Sequence, residues 1–392
     1  MGDVLPLGTE WQERPVRPAD LGGARVALVH DWLTGMRGGE KVLEALTQLL
    51  PNAEVFTLLH VPGSVSARLD ATRPRRSFVQ FLPWARRHYR RYVGLFPMAI
   101  EQFDLDDFDL VISTSHCVAK SAVAPGRTHH LCYCFTPMRY AWDQFDAYFG
   151  RQRVGWLRNR LYRLAFGRLA RWDAATAGRV DQYIAISRHV AARIREYYGR
   201  RAAVVYPPVD TTFYHPNGSA PGSYFLIVSA LVPYKQVDVA IEACRLAGVP
   251  LRIAGDGPER ERLRSLAGPH VEFLGPCSDA DIRELYRGSR AMLLPGEEDF
   301  GIAPVEALAC GRPVVGLARG GAAETVSDGT TGILVENAGA EAFAAGIARA
   351  AALEFDAAHI RKQALRFSLE RFYEEMRGRI EAALAPPGGA DA

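Results

Sequence analysis

Residues 295–316 read PGEEDFGIAPVEALACGRPVVG, and this stretch decides the fold. The apolar run at 291–294 predicts a buried strand, residues 304–310 predict a helix that Gly311 stops, and residues 313–315 predict the next strand. A strand, a helix and a second strand form one βαβ unit. Because ligands of such sheets bind beyond the carboxyl ends of the strands, the loop after the first strand is a candidate site.

Two glutamates, Glu298 and Glu306, stand eight residues apart across this strand-to-helix turn. We expect Glu298 in the loop and Glu306 in the first helical turn, both facing the crevice. A carboxylate accepts hydrogen bonds from vicinal hydroxyls, which suits a sugar or a ribose. The amides that open the helix suit an anionic or hydroxyl-rich group, and they belong to Phe300, Gly301 and Ile302. Spacing alone leaves coincidental surface charge as the alternative.

The residues that flank the glutamates carry a family resemblance. The string Glu298-Asp-Phe-Gly, followed by Glu306-Ala-Leu-Ala-Cys-Gly-Arg-Pro-Val-Val, resembles the nucleotide-sugar motif of retaining glycosyltransferases of family 4. The resemblance implies an α/β fold of the GT-B type, with two doubly wound Rossmann-like domains facing each other across a cleft. It also implies that Glu298 holds the hydroxyls of the donor sugar and that Glu306 holds the nucleotide ribose.

Length and composition agree with a two-domain enzyme. The 392 residues exceed what one hydrophobic core usually supports, and a net charge of +3 does not indicate nucleic-acid binding. No apolar run approaches the roughly 20 residues that span a bilayer, and the first residues do not form a signal peptide, so we expect a cytoplasmic protein. Six cysteines lack metal-ligand spacing and are expected to be reduced core residues: Cys117, Cys132, Cys134, Cys244, Cys277 and Cys310.

Strands and helices alternate along most of the chain. Strands of a first sheet are predicted at 25–30, 55–59, 110–112, 130–134, 183–186 and 204–206. Strands of a second sheet are predicted at 224–228, 251–254, 271–274, 291–294, 314–315 and 332–335. The expected domains are a loose leader at 1–23, an acceptor-binding domain at 24–215, a nucleotide-sugar-binding domain at 216–365, and a helix at 366–386. In the resembled fold this last helix crosses back to the first domain.

Glycine loops follow several predicted strands. Gly255 and Gly257 end a strand and precede a helix that we expect to open at Pro258, although a plain tight turn explains this pattern as well. Gly38 and Gly39 follow the first strand and are placed to present amides to the donor diphosphate, with a flexible connection as the alternative. In the resembled family, glycines and a glutamate matching Gly320, Gly321 and Glu324 line the donor site.

Lys235 follows the first strand of the second domain, where a positive charge can neutralise a leaving phosphate. A solvated loop lysine is the alternative. The family usually places an arginine five residues earlier, where this chain has Ala230. Either Lys235 and the glycine loops suffice, or another cation such as Arg319 or Arg37 compensates.

The first domain offers candidates for the reacting face. His116 follows a predicted strand and is the best candidate to hydrogen-bond the donor sugar or the acceptor hydroxyl. A lone histidine is, however, often structural. Relatives can carry a histidine before the next Thr-Pro, where this chain has Phe135. We therefore expect Thr136, Arg139 and His116 to shape the acceptor pocket.

Two arginine-rich stretches bear on partners. Residues 73–91, from Arg73 to Arg91, and residues 151–171, from Arg151 to Arg171, each hold seven arginines and no acid. Cations interleaved with aromatic and aliphatic residues are typical of a helix that lies on anionic lipid headgroups. In the second stretch the expected apolar face comprises Val154, Leu157, Leu161, Leu164 and Phe166. An ordinary solvated face, or a nucleic-acid surface, remains an alternative.

The resemblance covers about residues 25–380, and two first-domain strings, HDWLTGMRGGEKVLE and CYCFTPMRYAWD, look most like mannosyltransferases of O-antigen and exopolysaccharide assembly. It implies transfer of a hexose with retention, from a nucleotide diphosphate sugar such as GDP-mannose to a polyprenyl diphosphate-linked saccharide. Neither a metal nor another cofactor is implied, and His116, Lys235 and Glu298 would carry the chemistry. A nucleotide-sugar 2-epimerase of the same fold and a non-catalytic sugar-nucleotide-binding scaffold remain open.

Overall fold

The computed structural model of the chain describes residues 16–143, 145 and 155–385. A first parallel sheet has the strand order β3-β2-β1-β4-β5-β6-β7. Its strands are almost wholly buried from Val26 to His30 and from Leu110 to Ser115, as expected for a sheet covered by helices on both faces. The strands are β1 (Val26–His30), β2 (Glu54–Thr57), β3 (Arg75–Arg76), β4 (Leu110–Ser115), β5 (His129–Cys134), β6 (Gln182–Ala185) and β7 (Ala202–Val204).

Seven described α-helices accompany this sheet. They are α1 (Gly38–Leu49), α2 (Ala67–Ala71), α3 (Ala85–His88), α4 (Phe96–Glu101), α5 (Arg139–Trp142), α6 (Trp156–Ala175) and α7 (Arg188–Tyr198). Short 3-10 helices lie at Phe78–Phe81, Tyr89–Leu95, Ala119–Ser121 and Thr176–Arg179. The chain runs from β1 outward to β2 and β3 and then returns to β4 on the other side of β1. The strand order therefore reverses between β1 and β4, which is where ligands of open α/β sheets bind.

A second parallel sheet repeats this arrangement with the order β10-β9-β8-β11-β12-β13. Its strands are β8 (Phe225–Val228), β9 (Leu251–Ala254), β10 (Val271–Gly275), β11 (Ala291–Leu294), β12 (Val314–Leu317) and β13 (Gly332–Val335). The helices are α8 (Val237–Ala247), α9 (Arg260–Leu266), α10 (Asp279–Gly288), α11 (Ile302–Ala309), α12 (Ala322–Thr325), α13 (Ala340–Ala352) and α14 (Ala357–Ala364), with 3-10 helices at Pro233–Lys235 and Leu365–Phe367. Here the order reverses between β8 and β11.

The contacts divide the chain into two compact units, each with its own hydrophobic core. One unit extends to Tyr206 and resumes at Phe372, and the other is Pro207–Arg371. The last helix, α15 (Leu369–Leu384), therefore begins in the second unit and continues in the first. Within the first unit, the ring of Phe372 lies 5.9 Å from that of Tyr133, and Tyr373 donates a hydrogen bond to Gln48.

The predicted α/β class with two parallel Rossmann-like sheets is confirmed, and all twelve predicted strands are present. The strands at 251–254, 291–294 and 332–335 have the predicted bounds, and the ends of the others are shifted. β3 was not predicted, because two exposed arginines give no strand pattern. The cysteines are free as expected, and Cys277 is the one that is partly exposed. Most of the predicted leader, residues 1–15, and the final residue of the predicted terminal helix, 386, lie outside the described residues.

Candidate functional site

The reversal point of the second unit brings together two of the predicted site residues. Lys235 ends the 3-10 helix that follows β8, and Glu298 lies in the loop that follows β11. Their side chains form a direct ion pair, with 19% of the lysine and 11% of the glutamate side chain exposed. A Cβ on Gly296 would overlap the backbone of Tyr234 and Lys235, so this glycine lets the two loops approach. The pair is enclosed yet within reach of a ligand.

Glu306 is held differently from the prediction. We expected it in the first helical turn, but α11 begins at Ile302, so Glu306 is the fifth residue of the helix. Proline is compatible with the first turn, and the helix starts before Pro304 rather than at it. The carboxylate of Glu306 is buried and accepts a hydrogen bond from Tyr286, with 3.1 Å between the oxygens. Burial, and then the charge of Glu306, raise the pKa of the Tyr286 hydroxyl well above its usual value, so Tyr286 stays a donor.

The start of α11 is shaped by Gly301, which precedes the helix with a φ of 84°. Few side chains tolerate this left-handed conformation. Phe300 turns its ring into the core, where it lies 5.4 Å from the ring of Phe367. We predicted that the backbone amides of Phe300, Gly301 and Ile302 contact the donor. Because its ring is buried, Phe300 can offer the donor only its backbone. Ile302 is the first helical residue and is partly exposed.

The predicted donor-binding glycines lie where neighbouring loops touch. A Cβ on Gly255 would overlap Ser229 O, and one on Gly257 would overlap Leu231 O. The helix after them begins at Arg260, two residues later than expected. A second pair of glycines supports the loop that carries Glu298: Cβ atoms on Gly320 and Gly321 would overlap the backbone of Glu298 and Phe300. Each of these glycines thus has a packing role that requires no ligand.

Two further positions lie at the same edge of the second sheet. Glu324 is the third residue of the short helix α12 and is partly buried. Ala230, which replaces the arginine of the resembled motif, is exposed just after β8. Arg319 is also exposed and directly precedes Gly320. An exposed cation therefore stands beside the loop of Glu298, in the loop that follows β12 rather than at position 230.

The reversal point of the first unit is organised by a residue that the sequence did not single out. Asp31 directly follows β1 and is fully buried. Its carboxylate accepts four backbone N–H hydrogen bonds, at 2.7 to 2.9 Å, from the segment that follows β4. The four donors are His116, Cys117, Val118 and Ala119. A buried carboxylate with this many donors fixes the shape of the segment.

His116 directly follows β4, as predicted, and the fold places it at this reversal point, where neighbours orient its ring. Nδ1 lies 3.2 Å from Oδ2 of Asp31, and the ring meets Trp32 edge-on at 4.4 Å between centroids. The side chain is 31% exposed. Burial lowers the pKa of His116; Asp31 opposes that shift, while Arg37 and other arginines reinforce it. The imidazole is therefore neutral near neutral pH.

Gly38 and Gly39 are the first two residues of α1 rather than loop residues. The side chain of Phe135, which replaces the histidine of some relatives, lies 3.4 Å from the position of a Cβ on Gly39. His30 lies 3.6 Å from the same Cβ position and is fully buried, with Nδ1 hydrogen-bonded to Thr114. Among the described residues its Nε2 has no hydrogen-bond partner. Burial lowers the pKa of His30 to about 4, so this ring is neutral too.

The acceptor-side predictions have different environments. The Thr136 hydroxyl is buried and accepts a hydrogen bond from Arg193, which also pairs with Asp143. Thr136 therefore supports the protein rather than offering an open hydroxyl. Arg139 begins α5, is partly exposed, and is one of the arginines that lower the pKa of His116.

The arginine-rich stretches do not form two similar helices. Residues 73–91 comprise β3, α3 and 3-10 helices, and the left-handed Trp84 directly precedes α3. Residues 156–171 do form part of α6, but Phe166 is buried in the core and does not join the expected apolar face. Residues 151–154, including Arg151 and Val154, lie outside the described residues. Exposed aromatic side chains remain at Phe81 and Trp84.

Comparison with known proteins identifies both units. Residues 216–367 match the family described as glycosyl transferases group 1, and residues 36–213 match glycosyltransferase family 4. The chain carries two glycosyltransferase domains. Lys235, Glu298 and Glu306 lie within the group 1 domain, and Asp31 lies just before the residues matched by the family 4 domain, which contains His116.

The chain is also similar to known glycosyltransferases in sequence and to solved structures in fold. The chain is 30% identical over 161 residues to an uncharacterized glycosyltransferase of Methanocaldococcus jannaschii, covering 40% of this chain and 45% of that one. It is 33% identical over 187 residues to the D-inositol 3-phosphate glycosyltransferase of Rhodococcus erythropolis, covering 40% and 42%. The matches thus span less than half the length of these relatives. Anabaena HepE in complex with UDP-glucose superposes with a TM-score of 0.67 at 19% identity, covering 91% and 99%, and shares the GT-B fold.

None of the helices within 16–143 and 155–385 combines the length and the apolar character needed to cross a bilayer. The same part of the chain contains no cluster of three or more histidine, cysteine, aspartate or glutamate side chains that could hold a metal ion.

Proposed function

We propose that the chain transfers a hexosyl group from a nucleoside diphosphate sugar to a saccharide hydroxyl, with retention at the anomeric carbon. The observation that carries the proposal is the Lys235–Glu298 ion pair at the strand reversal of the group 1 domain. One partner is a cation suited to a diphosphate, and the other is a carboxylate suited to sugar hydroxyls. A donor that carries a diphosphate and sugar hydroxyls can bind to Lys235 and Glu298 in place of their contact with each other.

In this mechanism Lys235 neutralises the charge that grows on the leaving phosphate as the glycosidic bond breaks. Glu298 orients the donor sugar, and Glu306, fixed by Tyr286, binds the ribose hydroxyls. The amides at Gly38 and Gly39 and the start of α11 complete the donor contacts. His116 and Arg139 contribute to the sugar and acceptor side, whereas the buried hydroxyl of Thr136 has a supporting role through its bond with Arg193. No metal takes part in this proposal, and the donor is a substrate rather than a cofactor.

For the donor we propose GDP-mannose, on the strength of the first-domain strings that resemble mannosyltransferases of O-antigen and exopolysaccharide assembly. Thermal-shift measurements with GDP-, UDP- and dTDP-sugars test it. A ligand at 100 times its dissociation constant should stabilise the protein by about 2.7 kcal/mol. Stronger stabilisation by UDP-glucose, the ligand bound to Anabaena HepE, would replace GDP-mannose in the proposal while keeping the transferase. The anomeric configuration of the product, measured by NMR, tests retention.

For the acceptor we propose a polyprenyl diphosphate-linked saccharide, reached by a protein that rests on the inner face of the plasma membrane. The supporting feature is the outer face of α6, where three leucines follow helical spacing and are 55 to 58% exposed: Leu157, Leu161 and Leu164. The opposite face of the helix, with Phe166, Ala170 and Asp173, is buried. Arginines flank the exposed leucines, as expected for a helix on anionic lipids.

Cosedimentation with vesicles tests the membrane contact. Replacing Leu157, Leu161 and Leu164 by serine should release the protein from anionic vesicles, and transfer to a short soluble acceptor should be unchanged. A matched control replaces the exposed leucines Leu246 and Leu266 of the other unit. Wild-type protein that stays in the supernatant at low salt, where the Debye length is longest, would show that the face is simply solvated.

A further inference from the structure

Asp173 of α6 is a fully buried carboxylate that no step of the proposed mechanism uses. Within the described part of the chain, side chains from three other elements donate to it. Lys120 Nζ lies 3.0 Å from Oδ1, and Trp142 Nε1 and the Tyr198 hydroxyl each lie 2.8 Å from Oδ2. Ammonium and indole N–H groups can only donate, so the carboxylate is the group that holds these side chains together.

The ion pair of Lys120 with Asp173 is closed to solvent, with 1% and 0% of the two side chains exposed. The ammonium also donates to the backbone oxygen of Asp173 at 2.6 Å and lies 4.6 Å from the ring centre of Tyr198. Taking two charges out of water costs about as much free energy as their attraction returns, so such a pair is a poor source of stability. Its effect here is to fix which elements lie together.

The short helix α5 depends on side-chain contacts of this kind. It has four residues, none of them buried, and a helix of this length does not persist without tertiary contacts. Trp142 donates to Asp173 and stacks on Tyr197 of α7, with 4.7 Å between ring centres. Asp143, directly after α5, pairs with Arg193 of α7 at 2.9 Å. The position of α5 is therefore set by its neighbours.

Two further contacts connect α5 with the segment that follows β4. Tyr140 of α5 shares a hydrogen bond with Cys117 of this segment, at 2.7 Å. Lys120, also in the segment, reaches α5 through Asp173 and its bond from the indole. The segment itself is held by Asp31, which accepts four of its backbone N–H groups. Asp173 thus transmits the position of a fixed segment to a helix that cannot fix itself.

We propose that Asp173 is a positioning residue that holds α5, and with it Arg139, against the segment after β4. The importance of Arg139 for the reaction rests on the proposed transferase function, whereas the tie itself does not. Loss of the tie should let α5 move while Asp31 keeps the segment in place. The effect should therefore fall on the acceptor and spare the nucleoside diphosphate, whose proposed contact Lys235 lies in the group 1 domain.

Trp142→Phe is the variant that breaks the tie most selectively. It removes the indole N–H and keeps an aromatic ring beside Tyr197. The ion pair of Lys120 with Asp173 stays intact in this variant. Asp173→Asn is less suitable, because it leaves the buried ammonium without its counter-charge, a change that destabilises the whole domain.

Amide hydrogen exchange measures the tie without an enzymatic assay. The N–H groups of Ala141 and Asp143 bond to carbonyl oxygens at the start of α5. Their exchange should become about 10- to 100-fold faster in Trp142→Phe, the factor that corresponds to a lost hydrogen bond to a charged group. Exchange at Val118 and Ala119, in the segment after β4, should be unchanged. Equal protection of α5 in variant and wild type, or unprotected amides already in the wild type, would overturn the proposal.

Two variants control for the loss of a bond and for the loss of an indole. Tyr198→Phe removes a donor to the same oxygen of Asp173 at the same distance, but from α7. Trp172→Phe removes an indole N–H that bonds to Glu101, at 3.3 Å. Neither bond involves α5, so both variants should keep the wild-type exchange of α5. A comparable acceleration in either control would reveal general loosening of the domain and contradict the proposal.

Steady-state kinetics with a short soluble acceptor tests the role in the reaction. In Trp142→Phe, kcat/KM for the acceptor should fall about 10- to 100-fold, as expected when a contact group is misplaced, and nucleoside diphosphate affinity should stay at the wild-type value. Faster exchange of α5 with unchanged acceptor kinetics would overturn the positioning role. A wild-type protein that transfers nothing from any nucleotide sugar would refute the transferase function, and the exchange data would still decide whether Asp173 holds α5.

Discussion

Each unit places a carboxylate at the reversal of its strand order, and the two units use it in opposite ways. In the first unit Asp31 lies at the reversal between β1 and β4, fully buried, with four backbone N–H donors. In the second unit Glu298 lies at the reversal between β8 and β11, paired with the side chain of Lys235. Backbone contacts cannot be exchanged without unfolding a loop, whereas a side-chain pair can. The difference separates a fixed scaffold from a pair that a substrate can open.

The largest expected effect is on the exchangeable pair. Lys235→Ala removes the cation that meets the leaving phosphate, so kcat should fall more than the donor KM rises. The loss should raise the barrier by about 2.7 to 4 kcal/mol, measured by steady-state kinetics. Turnover within a few fold of wild type would mean that Lys235 serves only to neutralise Glu298.

Glu298→Gln should sharpen the comparison, because it releases Lys235 from its partner. We expect the variant to bind the nucleoside diphosphate more tightly than wild type and to bind the intact donor more weakly, by about 1.5 to 3 kcal/mol. Calorimetry with the two ligands measures both changes.

Glu306→Gln is the matched control, since Glu306 contacts Tyr286 rather than Lys235. It should weaken binding of both ligands alike. A pattern in which both variants lose affinity equally for both ligands would contradict the separate assignments of sugar and ribose.

A third test concerns a second buried carboxylate of the first unit. Burial, opposed by Arg37 and assisted by Asp31, raises the pKa of Glu40 from 4.5 to about 7. Between these values the folded protein keeps a proton that the unfolded chain loses, so stability declines as pH rises through this window. Glu40→Gln removes this penalty, and unfolding experiments should show a gain on the order of 2 kcal/mol above pH 7.

The same variant should show no gain at pH 4, where Glu40 is neutral in both states. The buried histidines His30 and His130 titrate alike in both proteins and cancel in the difference. A gain that is independent of pH would mean that the glutamine changes packing rather than charge.

The smallest effect is expected at Ala230. Because this position is exposed beside the Lys235 loop, Ala230→Arg restores the cation of the resembled motif without a steric cost. Nucleoside diphosphate binding should strengthen by about 1 kcal/mol, as for an exposed ion pair. The gain should be larger when Arg319 is replaced by alanine, if Arg319 supplies the missing charge. Unchanged affinity in both backgrounds would show that neither position faces the diphosphate.

The sequence predicted the parts of the molecule that local patterns encode. Apolar runs located the strands, and the loop motifs led to Lys235 and Glu298, which the fold brings into contact. The role of Asp31 was missed because its donors begin 85 residues away, and no local pattern links them. Tyr286 was missed for the same reason, since its bond to Glu306 joins separate helices. The available signal was the position of Asp31, a charged residue directly after a buried strand and directly before Trp32.

In the arginine-rich stretches, composition suggested structure that the fold does not contain in full. Residues 73–91 have a composition that suits a helix, but they form β3, 3-10 helices and the short helix α3, with left-handed backbone at Trp84 before α3. Composition does not report such breaks. The expected helix is present as α6. Its orientation, which buries Phe166, could not be predicted from composition and became known only from the structure.

The glycines between the loops of the second unit also affect how sequence variation in this protein should be interpreted. Side chains at Gly255, Gly257, Gly320 and Gly321 would collide with the backbone of the neighbouring loop. A random mutagenesis library would therefore lose variants at these positions for any donor, and their invariance among surviving clones would reflect assembly of the loops. Changes in donor preference should instead be recovered at exposed neighbours such as Ala230 and Arg319, where a new side chain has room.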